Sequence, residues 1–146
     1  MIIEIFDNEF LSCELDDSLP GLRHYWKKAP SGDEFESNLL KVLEEYKTLK
    51  PSYKDLAWLA DTTQLGELDE DTETWLVEVW EDLLFVKGGV KIHAVILGES
   101  IFADYPMENF KHDAEEKFKT YNVHLGVFSD HDEAYTWIKE QLLILN

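Results

Sequence analysis

The chain has 146 residues and a mass of 17.1 kDa, which suits a single domain over residues 1–146. Its 31 acidic and 13 basic residues leave a net charge of −18, which repels phosphate backbones and anionic lipid and excludes a general nucleic-acid binder. Five tryptophans, six tyrosines, eight phenylalanines and a 45% hydrophobic share exclude intrinsic disorder.

Arg23 is the one arginine, and the lysines are scattered, so no polybasic arm exists; Lys27-Lys28 is the closest pairing. Cys13 stands alone, which rules out an internal disulfide, a cysteine zinc site or a Cys-x-x-Cys redox pair. In a strand-like run it reads as a small buried apolar residue. Met1-Ile2-Ile3-Glu4-Ile5-Phe6-Asp7 has neither a basic n-region nor a long apolar h-region. No apolar run approaches the roughly 20 residues of a membrane span. A cytoplasmic protein without stable membrane insertion is expected.

The first quarter reads as strands. Leu11, Cys13 and Leu15 alternate with Phe10, Ser12 and Glu14, and Asp7-Asn8 supplies a hairpin turn after Ile3 and Ile5. Ser18-Leu19-Pro20-Gly21 breaks the chain, and Leu22, His24 and Trp26 mark one side of a third strand. Ser31-Gly32-Asp33-Glu34 is a capping box that opens a helix. Phe35, Leu39, Val42, Leu43 and Tyr46 form its apolar stripe, Lys47 and Lys50 suit its C-terminal dipole, and Pro51 stops it.

Leu56-Ala57-Trp58-Leu59-Ala60 is a nearly continuous apolar run, as in a strand buried on both faces of a parallel sheet. After the Asp61–Gln64 loop, a helix is predicted from about Asp69 to Val86. Its pairs Trp75/Leu76, Val79/Trp80 and Leu83/Leu84 recur at helical spacing, and Gly88-Gly89 supplies the left-handed cap. Ile92–Leu97 is a second buried strand, Tyr105 to about Lys119 a more polar helix, and Val123–Phe128 a last strand. A final helix opens at Ser129 or Asp130 and carries Ala134, Trp137, Ile138 and Leu142 on one face. Three strands followed by α-β-α-β-α-β-α call for an α/β fold: a mixed, partly parallel sheet flanked by about four α-helices.

Three stretches resemble the SpoIIAA-like family, which is built on the STAS fold and compared with lipid-binding CRAL–TRIO domains. They are Trp26 with Ser31-Gly32-Asp33-Glu34-Phe35; Trp58-Leu59-Ala60-Asp61 with the Trp-rich helix and Gly88-Gly89 before Lys91-Ile92-His93-Ala94-Val95; and Val127-Phe128-Ser129-Asp130 through Glu133-Ala134 to Trp137-Ile138. The resemblance spans nearly the whole chain. It implies a STAS-like α/β domain with no known catalytic activity and does not supply a substrate. STAS domains can carry a regulatory phosphorylation site in an Asp-Ser-Ser-Gly-Leu-Gly turn, to which Asp61-Thr62-Thr63-Gln64-Leu65-Gly66 would correspond. Asp61, Leu65 and Gly66 match, with Thr62 and Thr63 at the hydroxyl positions and Gln64 departing from the glycine. Glu67, Asp69, Glu70, Asp71 and Glu73 crowd that region and oppose a phosphate.

Catalytic chemistry finds no constellation. Asp69-x-Asp71-x-Glu73 has a fragment of calcium-loop spacing, but Trp80 stands where the twelfth-position glutamate belongs. Of the histidines, His24, His93, His112, His124 and His131, none makes a His-x-x-x-His pair; His93 and His124 fall in adjacent strands and could approach one another or an acid. No serine has a Gly-x-Ser-x-Gly setting, and Gly88-Gly89 lacks the phosphate-loop lysine. No metal or cofactor is expected. Trp75, Trp80, Phe85, Tyr105, Phe110 and Phe118 read first as core; as a pocket or patch, Trp75, Trp80 and Phe110 would bound it.

Two non-enzymatic functions follow. One is a STAS-type interaction module that binds a protein with a basic surface near the Asp61–Asp71 loop, and it requires no pocket. The other is a carrier or sensor of a hydrophobic small molecule or lipid, associating transiently with membrane, and it requires an apolar cavity near Trp80 and Phe110.

Overall fold

Strands β1 (Ile2–Asp7) and β2 (Leu11–Asp16) pair antiparallel in the computed structural model, which describes residues 1–98 and 107–145, with the backbone alone for residues 107–111. Asn8 closes the hairpin, its side-chain oxygen accepting from the backbone N–H groups of Phe10 at 2.9 Å and Leu11 at 3.0 Å. β3 (Gly21–Trp26) adds antiparallel to β2. β4 (Ala57–Asp61), β5 (Ile92–Ile96) and β6 (His124–Phe128) then follow in parallel, so the strand order is simply β1 to β6. The α/β architecture with a mixed sheet is the one expected.

Helix α1 (Gly32–Leu49) joins β3 to β4, and its start is the capping box. Ser31 Oγ accepts from Glu34 N at 3.2 Å, and the Glu34 carboxylate accepts from Ser31 N at 3.0 Å. Phe35, Leu39, Val42, Leu43 and Tyr46 are all buried, and the Tyr46 hydroxyl donates to the Leu56 carbonyl at 2.6 Å. Helix α2 joins β4 to β5 and begins as Glu70–Trp75, with the Asp69 carboxylate accepting from Thr72 N at 2.8 Å. It then widens into π-helical turns at Leu76–Trp80 and Asp82–Lys87. Helix α3 (Met107–Lys117) leads to β6, and α4 (His131–Leu145) closes the chain, capped by Asp130. The predicted Tyr105 start of α3 lies outside the described residues.

The regular helix predicted for Asp69–Val86 is therefore α-helical only in its first part. The reason lies in the aromatics: Trp75, Trp80 and Phe85 stand five residues apart, a spacing that i→i+5 bonding brings onto one side. Glu81 N donates to the Leu76 carbonyl and Gly88 N to the Leu83 carbonyl, both across five residues. Trp75 and Trp80 consequently stack, with centroids 5.7 Å apart and planes at 20°. At the end, Gly89 takes the left-handed conformation with φ 69°. Lys50 serves this terminus rather than its own: its ammonium donates to the carbonyls of Gly88 at 3.2 Å and Gly89 at 3.1 Å.

A sequential parallel order with right-handed crossovers puts the connecting helices on one face of the sheet. Residues of α1, α2 and the turn after α3 share a core there with Leu11, Cys13, Leu15, Leu22, Trp26, Trp58 and Ala60. Burial pushes the Cys13 thiol up to about 12, so it is a packed, inert group. The opposite face holds a smaller core, in which Ala134, Ile138 and Leu142 of α4 cover Ala57, Leu59, Ile92, Ala94 and Ile96. Gly126 permits that approach: a Cβ there would lie 2.7 Å from Phe128 and 3.0 Å from Trp137.

Leu59 has no solvent exposure and sits at the centre of the smaller core. Leu59→Ala is expected to cost about 2–5 kcal/mol by urea titration, whereas Ser31→Ala, which removes one cap, should cost about 1 kcal/mol.

Candidate functional site

The strand register writes two parallel rows across the larger face. Leu22, Trp58, His93 and Leu125 are neighbours in one row, and His24, Ala60, Val95 and Val127 in the next. The first row is bulky at its centre. The second is small from Ala60 through Val127 and leaves space towards the carboxyl ends of the strands, where open α/β sheets bind ligands. A cavity of about 910 Å³ occupies that space. Its floor is Trp58, His93 and Leu125 of the first row and the whole of the second, one wall is Phe35 and Leu39 of α1, and the other is Leu76, Trp80, Leu84 and Phe85 of α2. Thr62, Leu65, Gly66, Glu67, Leu68 and Leu97 line it from the loops after β4 and β5, and Glu73, Val77 and Glu81 from α2.

Aromatic contacts make this lining continuous. Trp58 lies 5.6 Å from His24, 5.7 Å from Trp80, 6.4 Å from His93 and 5.5 Å from Tyr46, centroid to centroid. Phe35 stacks on Trp26 at 5.2 Å, and Phe85 meets His93 edge-on at 5.9 Å.

The two histidines are electrically silent at neutral pH. The Trp58 indole can only donate, and it donates to His24 Nε2 at 3.0 Å, so the proton of the neutral imidazole sits on Nδ1. That Nδ1 has no partner among the described residues, and neither has Nδ1 of His93. Burial lowers His24 to about 4, against a small opposing pull from Asp61, and lowers His93 to about 3, helped by His24. His93 and His124 do not meet. His93 pairs with Leu125 and Ile92 with His124, so one register step puts them on opposite faces. His124 Nδ1 instead lies 2.8 Å from Gln141 Oε1 on the α4 side.

Among the described residues the charged lining is all acidic, being Glu67, Glu73 and Glu81. Burial raises the Glu81 pKa, opposed by the Lys117 ammonium 3.7 Å away. Glu73 and Val77 also belong to a smaller outer groove of about 290 Å³, whose other members are Glu70, Thr74 and Glu78.

Of the residues read from the sequence, Trp80 lines the cavity, and Trp75 stacks on it and meets Phe35 edge-on. The Phe110 side chain lies outside the described residues. Asp61, Thr62 and Thr63 form a turn at the end of β4 whose side chains are engaged within the chain. Thr62 Oγ1 donates to the Ile96 carbonyl at 2.8 Å, and Thr63 Oγ1 to Asp61 Oδ1 at 2.7 Å. The other Asp61 oxygen lies 2.7 Å from His131 Nε2 at the start of α4. Sequence reasoning missed His24 and the Ala60–Val95–Val127 floor, since both emerge only once the strands are aligned. The parallel reading of the Leu56–Ala60 run was the available signal.

No known family model, curated protein or solved structure matches the chain.

The histidines give a pH dependence of known sign. Unfolded, each takes up a proton below 6.5; folded, His24 holds out to about 4 and His93 to about 3. Their contribution is full above 6.5 and falls as the pH drops through that window, by about 1.4 kcal/mol for each pH unit and each histidine. His93→Phe keeps the ring contacts and removes one titrating group. The urea midpoint of the variant should fall less than that of the parent between about pH 7 and 5, above the main carboxylate range. Identical slopes would mean that His93 is not buried neutral.

Proposed function

We propose that the chain is a non-enzymatic carrier or sensor that takes up a hydrophobic small molecule between α2 and the sheet. The observation that carries this reading is the aromatic-lined cavity of about 910 Å³. Small-molecule sites typically span about 300–1,000 Å³ and combine apolar walls with a few polar groups. The π-helical wall supports the same reading, because such turns are rare and concentrate at functional sites. Capture needs no reacting group, in keeping with the two neutral histidines of the lining.

The SpoIIAA-like resemblance stays part of the proposal as a framework without catalysis. A STAS-type module binding a basic protein partner draws support from the net charge of −18. It draws none from Asp61, Thr62 and Thr63, whose side chains already bond within the chain. A cytoplasmic location is part of the same proposal. Among the described residues no helix is long and apolar enough to cross a membrane.

Titration with the neutral fluorophore N-phenyl-1-naphthylamine tests the cavity. Binding should saturate at one probe per chain. Ala60→Leu, which fills the floor, should weaken it about tenfold or more without lowering the urea midpoint. Unsaturable binding, or equal binding by Ala60→Leu, would refute the assignment.

A further inference from the structure

Building on the small-molecule reading, we infer that the cavity selects a lipophilic cation, an apolar chain or ring bearing an ammonium group, over an acyl anion. Among the described residues the lining contains no lysine or arginine, so no cationic side chain there neutralises a carboxylate or phosphate head. A charged group removed from water needs a partner, and an unpaired one is costly. An anion would also face Glu67, Glu73 and Glu81.

For a cation the same features are favourable. Trp26, Trp58 and Trp80 line the cavity, and the negative quadrupole of an aromatic ring attracts ammonium groups. Glu67 and Glu73 form no salt bridge among the described residues, leaving two carboxylates at the mouth to pair with an incoming charge. Glu81 differs, because Lys117 already lies 3.7 Å away. The outer groove extends the acidic approach through Glu70 and Glu78 and meets the cavity at Glu73 and Val77. His24 Nδ1 and His93 Nδ1 are buried and unpartnered among the described residues, yet burial keeps both rings uncharged at neutral pH, so they do not reverse the preference. The net charge of −18 adds long-range attraction that salt screens.

The test compares decyltrimethylammonium, decanol and decanoate, identical in chain length and used below their micelle concentrations, by calorimetry on the full chain. The cation is expected to bind tightest and decanoate at least about tenfold more weakly. Glu67→Gln combined with Glu73→Gln should shrink the preference for the cation over the alcohol, as should added salt. Ala60→Leu keeps the surface charge of the parent, so cation binding that survives it unchanged is surface adsorption and overturns the inference. Equal binding of all three, or tightest binding of decanoate, overturns the inference while leaving the cavity reading intact. Failure of all three, decanol included, removes both.

Discussion

Trp58 is the side chain at which α1, α2, β3 and β5 meet. Its indole N–H is spent on His24 inside the larger core, so both polar groups are buried without a bare donor on the tryptophan. The bond decides which nitrogen of His24 carries the proton. Around this pair meet a ring from α1, Tyr46, one from α2, Trp80, and one from β5, His93. Removing the indole would leave a void beneath two helices and orphan His24 Nε2. The layers on that face are tied through one residue of β4, which pairs in parallel with both of its neighbours, and the cavity opens beside it.

The space itself follows from topology and residue size together. The strands run in sequence order, so the crossover helices share one face and bridge a wide sheet. Large rings at Trp58 and His93 prop α2 away from the floor, while Ala60, Val95 and Val127 fail to fill the adjoining row. The π-helical winding of α2 turns Trp80 and Phe85 towards that gap instead of spreading them round the helix. Aromatic walls, neutral histidines and an acidic mouth are thus consequences of where a few residues fall in register.

Much of the fold was legible in the sequence because its cues are local. The capping box at Ser31, the hairpin turn at Asn8 and the apolar run before Asp61 each act within a few residues. The π-helical turns were not legible, since Leu83/Leu84 and Val79/Trp80 satisfy a period of four as readily as Trp75, Trp80 and Phe85 satisfy five. Val79 is exposed where the α-helical pattern placed it with Trp80. Lys50 looked like the cap of its own helix and instead reaches the end of α2, a contact between residues 38 and 39 positions apart. Trp80 was visible as a pocket candidate, but a cavity is missing volume, and missing volume has no motif.

The five tryptophans provide the most direct measurement of the central claim. Trp26, Trp58 and Trp80 line the cavity, Trp75 stacks on Trp80, and Trp137 packs against Phe128 on the opposite face. The indole N–H resonances of a nitrogen-15-labelled chain would be followed by NMR during titration with decanol. The expected result is saturating shifts of the Trp26, Trp58 and Trp80 signals with Trp137 unmoved. Shifts confined to Trp137, or five signals unchanged at saturating decanol, would contradict a ligand held between α2 and the sheet.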